Sequence, residues 1–586
     1  MDVALYLVEH LALTGLPMAA AALFAASRGV RDIAVLLAIA LAASGGVALL
    51  AFWAFYADPL LGQSFSYLVV FGSALLVAWS LYEGDLGGDL LGGLATPFAL
   101  WALGSAFLVA LGFVHGGVDN PLGVGATRFS GQLPSDNDIP RFFAEWFYHH
   151  GHSGTPPEFP GEWLSSDRPP LQVGYVLAER VFGADDLIDL RYQVLGVVLQ
   201  QLWIVGLWAL LLAARVGRVT RGLTMLTVLV SDVAIVNGFF VWPKMLPTAM
   251  LLGAAALVLT PLWPRLRRSL WAAALIAALL SLAMLAHGAS VFGAIALLAV
   301  AAWRGLPAWR WIGVGLAVGL VMLGSWSAYQ KYGDPPGDRL TKWMLAGAME
   351  IDDRGVSKAI VDGYREAGVG GMLHNKGQNF VTMAGGGPAL EQLDRAADAA
   401  GAGDLTTALR NVRELFFFDL LPSLGLLLLV PVAMAVGRRR GRLTPDEWSF
   451  ALTCFAALAV GAVAWGLLLF GNLPARTILH AGSFLLPVLG FCGAVAGLRA
   501  AFPRFAVWFV AASALLMLAL YVPVLDPLPG TSLSLPAALA AAVGLAVFAA
   551  LALRHNPDSS VRQAPAHSSP LVVDAVAGDL EAEARR

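Results

Sequence analysis

Long apolar runs separated by short polar connections dominate the 586-residue chain. A helix needs roughly 20 apolar residues to cross the hydrocarbon core of a bilayer. Runs near that length lie at about 3–27, 32–56, 61–82, 94–114, 190–214, 222–241, 246–263, 269–286, 288–303, 311–329, 415–436, 448–470, 480–498, 505–525 and 534–553. The pattern predicts an all-α polytopic membrane protein of about fifteen transmembrane helices. The runs 246–263 and 288–303 are short enough to enter the membrane without crossing it.

The polar positions organise these runs. Arg28 and Arg31, Arg215, Arg218 and Arg221, Arg265, Arg267 and Arg268, Arg304 and Arg310, Arg438 to Arg442, Arg499 and Arg504, and Arg554 fall in alternate connections. Basic loops stay cytoplasmic, so the pattern predicts an N-terminus outside and a C-terminus inside. Two long polar segments, 115–189 and 331–413, then fall on the extracytoplasmic face. The expected organisation is N-terminal helices over 1–93 and a transmembrane module over 94–330 that includes the loop 115–189. A second outer loop domain over 331–413, C-terminal helices over 414–553 and a disordered tail over 554–586 follow. The tail is rich in Ser, Pro, Ala and acids and has no apolar face.

Composition narrows the classes. The chain is 58% hydrophobic and 13% charged, against about 25% charged in soluble domains. A net charge of −3 excludes a generally basic surface that coats nucleic acid. Cys454 and Cys492 both sit in apolar runs, which argues against a disulfide framework or a thiolate metal site. Arg28 and Arg31 follow the first apolar run instead of preceding it, so that run is expected to be a retained helix.

Candidate chemistry concentrates on the first outer loop. Ser135-Asp136-Asn137-Asp138 precedes the aromatic run Arg141 to Tyr148, which has the spacing of a helix lying flat on the membrane surface. A carboxylate held at that face can act as a general base, and Asp136 and Asp138 are the candidates. Either can equally serve as a solvated loop residue or a helix cap. Asp167-Arg168-Pro169-Pro170 follows, where Arg168 can pair with either aspartate or with a phosphate. Lys244, Arg339, Lys342 and Arg476 are cations near span ends on a face otherwise poor in them, and His480 lies one helical turn after Arg476. His287 ends a span. His149, His150 and His152 match no strong zinc spacing, and no metal or other cofactor is expected. Charges within the spans are few (Glu9, Asp232 and Asp419), which counts against an ion-coupled transporter.

An acidic motif on the first large outer loop of a polytopic chain, followed by an interfacial helix, resembles the GT-C superfamily of membrane glycosyltransferases. The resemblance covers about 94–330. Three more spans precede the acidic loop here than in a typical member. The resemblance implies inverting transfer of a sugar from a polyprenyl-phosphate donor to a glycan, lipid or protein of the cell envelope, at the outer face of the plasma membrane. Asp136 or Asp138 would be the base. Lys244, Arg339, Lys342, Arg476 and His480 would hold the donor phosphate, with Asp167, Arg168 and His287 touching substrate. Two other readings compete: an O-antigen polymerase or ligase relying on Arg and His, and a lipid-linked sugar flippase, for which repeats and broken helices at mid-membrane would be expected.

Overall fold

The fold comes from a computed structural model that describes residues 2–84, 86–129, 133–181, 188–348, 350–351, 353–383, 387–415, 430–439, 444–471, 484–522 and 532–554. Four helices open the chain: α1 (Asp2–Ser27), α2 (Ile33–Ala57), α3 (Pro59–Glu83) and α4 (Gly88–Gly112). Their starts follow from local chemistry. The Asp32 carboxylate accepts from the Ala34 and Val35 amides at 2.9 and 3.2 Å, which satisfies donors that the first turn of α2 leaves open. Asp58 caps α3 from the Leu61 amide at 3.0 Å, and Pro59 sits at the first helical position, where a missing N–H is tolerated.

The first polar segment forms α5 (Pro121–Thr127), a 3-10 turn over Ser135–Asp138, α6 (Ile139–His150) and α7 (Leu171–Ala178). Next come α8 (Asp189–Gln200), α9 (Trp203–Ala213), α10 (Arg218–Leu229), α11 (Asp232–Phe240), α12 (Met245–Val258), α13 (Trp263–Leu266), α14 (Leu270–Ala286), α15 (Val291–Trp303) and α16 (Trp309–Ala328). The second polar segment holds α17 (Arg339–Ala346), α18 (Val356–Met383), α19 (Gly387–Gly401) and α20 (Leu405–Glu414). Further helices cover Val430–Arg439, Pro445–Leu468, Leu485–Ala501, Pro503–Tyr521 and Leu535–Arg554.

Among the described residues, nine helices are long and apolar enough to cross a membrane, α8 and α9 counting as one. The pair α10–α11, bent by 52°, makes a tenth if it is one span. The chain is a helical, multi-pass membrane protein. The expected count of about fifteen is not reached on length, and the stretch 415–436 lies largely outside the described residues. Four of the predicted spans, at α12, α14, Gly288–Trp303 and Leu485–Ala501, are shorter helices. Every residue of α12 is buried, so protein rather than lipid accounts for its apolar character. Hydropathy alone cannot separate those two causes.

The predicted loop 115–189 is more than a surface cover. Its α7 dips into the bundle against α2, where any Cβ on Gly174 would fall 2.0 Å from the Ala48 carbonyl oxygen. Tyr175 Oη meets Ser44 Oγ at 2.9 Å at the same contact. The aromatic stripe of α6 faces protein rather than lipid: Phe143 and Phe147 are each 1% exposed, and Phe147 packs on Phe52 of α2. Asp32 feels both Arg215 and Arg265, and Arg304 donates to the carbonyls of Val258 and Thr260, each at 3.0 Å, so several basic connections share one end. At the other end His152 reaches the Ala57 carbonyl at 2.8 Å, and the two polar segments meet.

Candidate functional site

Helix length makes room for a site at that second end. Helix α2 has 25 residues and α12 has 14, about 37 and 21 Å along their axes. They run antiparallel, with Met250 packed on Gly45 and Leu41 on Gly253. That register puts Lys244, just before α12, about 10 Å below the end of α2. The first and second polar segments close over the resulting recess.

The recess contains a cavity of about 320 Å³. Asp136, Asp167, Arg168 and His287 line it, and Trp163, Trp242, Trp326 and Trp343 supply much of its wall. Met284 and Leu285 of α14 and Leu323 of α16 make its apolar side. Helices α15 and α16 are consecutive yet scarcely touch. Helix α15 packs on α12 and on Pro445–Leu468, whereas α16 packs on α14. The cavity lies beside α16, whose Leu316, Leu320 and Val321 are exposed as lipid-facing residues are.

Arg168 organises the polar wall. Its Nη2 donates to Asp136 Oδ2 at 3.2 Å, and its guanidinium lies over the rings of Trp163 (4.1 Å) and Trp242 (5.4 Å). Burial pushes its pKa down, and the carboxylates of Asp136 and Asp167 counter that push. Asp167 is itself buried. Its Oδ2 accepts from the Leu164 amide at 2.9 Å, its Oδ1 has no hydrogen-bond partner, and burial raises its pKa.

Behind Trp242 lies a pair of bases. Lys244 Nζ is 2.6 Å from His287 Nε2 and 3.7 Å from the centre of the Trp242 ring. Burial holds both pKa values well below their ordinary ranges, and the Arg168 charge adds to the effect on each. The His287 Nδ1 accepts from the Ala289 amide at 3.3 Å, which fixes the ring. Lys244 is placed by α8: the Gln200 Oε1 accepts from the amides of Lys244 (3.2 Å), Met245 (2.9 Å) and Leu246 (3.0 Å).

A directed hydrogen-bond chain runs on from Gln200. Gln200 Nε2 donates to Gln172 Oε1 at 3.1 Å, and Gln172 Nε2 donates to the Val241 carbonyl (2.8 Å) and to Tyr192 Oη (3.2 Å). Tyr192 in turn donates to the Asn137 carbonyl at 2.7 Å. Asn137 stands between the two candidate aspartates, so this chain ties their turn to the start of α12.

The structure separates the two aspartates. Asp136 lines the cavity, whereas Asp138 forms a two-pronged pair with Arg141, at 2.6 and 3.1 Å. Asp138 precedes α6 without capping it through its side chain. Arg339 stacks on the far face of the wall, 4.5 Å from the centre of Trp163, and donates to the Glu162 carbonyl at 2.7 Å. Lys342 is buried and paired with Asp338 at 2.8 Å, and it is not among the residues that line the cavity. Arg476 and His480 lie outside the described residues. Among the described candidate phosphate ligands, Lys244 and Arg339 each lie against a ring of the cavity wall, Trp242 and Trp163 respectively.

His149, His150 and His152 do not converge. They engage Glu145, the Trp146 ring and the Ala57 carbonyl respectively. Two titratable groups of α1 are paired: Glu9 with Arg191, and His10 with Glu179 at 2.8 Å. Sequence reasoning missed Trp163, Trp326, Gln172 and Gln200. Paired glutamines at 200 and 201 inside an apolar run were the available signal, because a polar side chain at that depth needs a partner. Comparison of the chain with protein-family models, with curated proteins and with solved structures finds no match.

Proposed function

We propose that the chain is an inverting membrane glycosyltransferase that takes a sugar from a polyprenyl-phosphate donor. On this reading the fold is GT-C-like, with some shorter helices counted among about fifteen membrane segments, the cavity end faces outward and the acceptor belongs to the cell envelope. The observation that carries it is the cavity itself: a carboxylate, Asp136, bonded to a guanidinium, Arg168, with a second carboxylate, Asp167, beside them, within aromatic walls at the recessed end of the bundle. Asp136 removes a proton from the acceptor hydroxyl as that oxygen attacks the anomeric carbon, and the bond to the phosphate oxygen breaks. The phosphate leaves as an anion and needs no acid. Arg168 and the Lys244–His287 pair stabilise the charge it carries away. Aromatic faces such as Trp163 and Trp242 suit the apolar face of a sugar ring.

Asp136→Asn preserves size and removes the proton acceptor, so turnover should fall by about 10²–10⁴-fold while donor binding survives. Asp138→Asn should change turnover much less, since Asp138 is spent on Arg141. Near-normal turnover in Asp136→Asn removes the base from this mechanism. A ligase-like enzyme relying on Arg and His has Arg168 and His287 in its favour. Normal turnover in Asp136→Asn together with loss in Arg168→Met selects that reading. A flippase is less well supported, because the α10–α11 bend is the single broken span among the described residues that exceeds 40°.

A further inference from the structure

We propose that Lys244 and His287 form one proton-accepting unit that charges when a phosphate monoester enters the cavity, so that binding takes up one proton from solvent. The proposal rests on the reading of the cavity as a lipid-phosphate site and adds a coupling that the reading does not require.

The geometry allows two charge states. A 2.6 Å approach of Lys244 Nζ to His287 Nε2 needs one hydrogen between the nitrogens. With both groups neutral, one donates to the lone pair of the other. With one extra proton, the pair is a cation sharing a charge-assisted hydrogen bond, and His287 Nδ1 then carries a hydrogen and gives up the 3.3 Å bond from the Ala289 amide. A second extra proton would set two cations against each other at this distance, in a site removed from water. The unit is therefore neutral or singly charged.

The empty cavity favours the neutral state. Lys244 is 1% exposed, and burial disfavours both cations. The charged groups facing the pair are Arg168 and Asp136, one of each sign and bonded to each other at 3.2 Å, so neither offers an uncompensated anion. The Trp242 ring face at 3.7 Å and the Asp136 carboxylate favour the cation, and burial together with Arg168 outweighs them. A phosphate in the cavity alters this balance. It brings negative charge to a low-dielectric site and raises the proton affinity of the nearest base. The sign follows: the free pair has the lower proton affinity and the occupied pair the higher. Anion affinity is then greatest below the pKa of the free pair and falls as pH rises toward that of the occupied pair.

Calorimetric titration of the full-length chain in detergent, run in two buffers of different ionisation enthalpy, counts the protons. Farnesyl phosphate is the probe, with inorganic phosphate in a parallel arm to distinguish a lipid headgroup from a free anion. At a pH above the second pKa of the phosphate (about 6), where the ligand has no proton to release, the expected result is uptake of about one proton per bound farnesyl phosphate, with affinity falling about tenfold per pH unit within the linked range. Lys244→Arg places a permanent charge beside His287 and should bind with little or no uptake. The double variant Lys244→Met with His287→Asn should also lose uptake and bind more weakly.

Matching uptake and affinity with inorganic phosphate supports the coupling and assigns it to a free anion. Binding of farnesyl phosphate without uptake overturns the proposal and leaves the glycosyltransferase reading standing. Undiminished uptake in Lys244→Arg overturns it too, because the proton then lands elsewhere. Failure of farnesyl phosphate to bind at all overturns both.

Discussion

Gln200 and Gln201 are adjacent, equally buried and opposite in bonding, which makes them a sharp test of what orders the site. Gln200 Oε1 accepts three backbone amides at the entrance to α12, and its Nε2 donates to Gln172. Both side-chain polar atoms of Gln201 are buried without a hydrogen-bond partner. Gln200→Leu leaves the Met245 and Leu246 amides and Gln172 Oε1 unsatisfied, whereas the Lys244 amide keeps the Trp242 carbonyl at 2.7 Å. A buried unsatisfied group costs about 1–3 kcal/mol, and the low end applies because three donors share one oxygen. The sum is about 3 kcal/mol, offset by about 1 kcal/mol for replacing a polar side chain with an apolar one.

Gln201→Leu loses no bond and keeps the same offset, so it should be neutral or stabilising by about 1 kcal/mol. The two variants should differ by about 3 kcal/mol, roughly a hundredfold in the ratio of folded to unfolded chain. Unfolding of purified chain in mixed micelles, titrated with a denaturing detergent and followed by tryptophan fluorescence, measures the difference. Variants that differ by less than about 1 kcal/mol would refute the assignment of Gln200 as the cap of α12.

Two further outcomes follow from the same geometry. Tyr192→Phe removes the hydroxyl between Gln172 and Asn137 and should cost about 1–2 kcal/mol, loosening the turn that carries Asp136. Turnover should fall while Phe fills the same space, and an unchanged rate would uncouple that turn from the chain of hydrogen bonds. Cysteines at Ser153 and Arg268 should be labelled from opposite sides of the membrane by an impermeant reagent, against little background because Cys454 and Cys492 are buried. Labelling from the same side contradicts the predicted sidedness.

The helical class was legible because repeated apolar runs near spanning length are rare outside membrane helices, and α1 to α4 match their predicted stretches within a few residues, except for an earlier start to α4. The span count was less legible because α12 is apolar on every side for the sake of protein packing. Asp136, Asp167, Arg168 and His287 were visible as chemistry on connections, and the structure brings all four to one cavity. The choice between Asp136 and Asp138 was encoded in part: Asp138 and Arg141 are three residues apart at a helix start, a spacing that favours pairing. Trp163 and Trp326, by contrast, share a wall only through the folding of two segments far apart in sequence. No local pattern reports such a meeting.

The parting of α15 from α16 beside the cavity has a kinetic consequence. A ligand reaching the cavity through that cleft arrives from the bilayer plane, in two dimensions. Its effective concentration is its mole fraction among membrane lipids, not its amount per volume of solution. Adding inert lipid or detergent at fixed total ligand then slows the encounter, although the bulk concentration is unchanged. On the proposed reading, rates measured in micelles and in vesicles become comparable only after conversion to surface density, and the saturation constant of a ligand entering by that cleft carries the units of a surface.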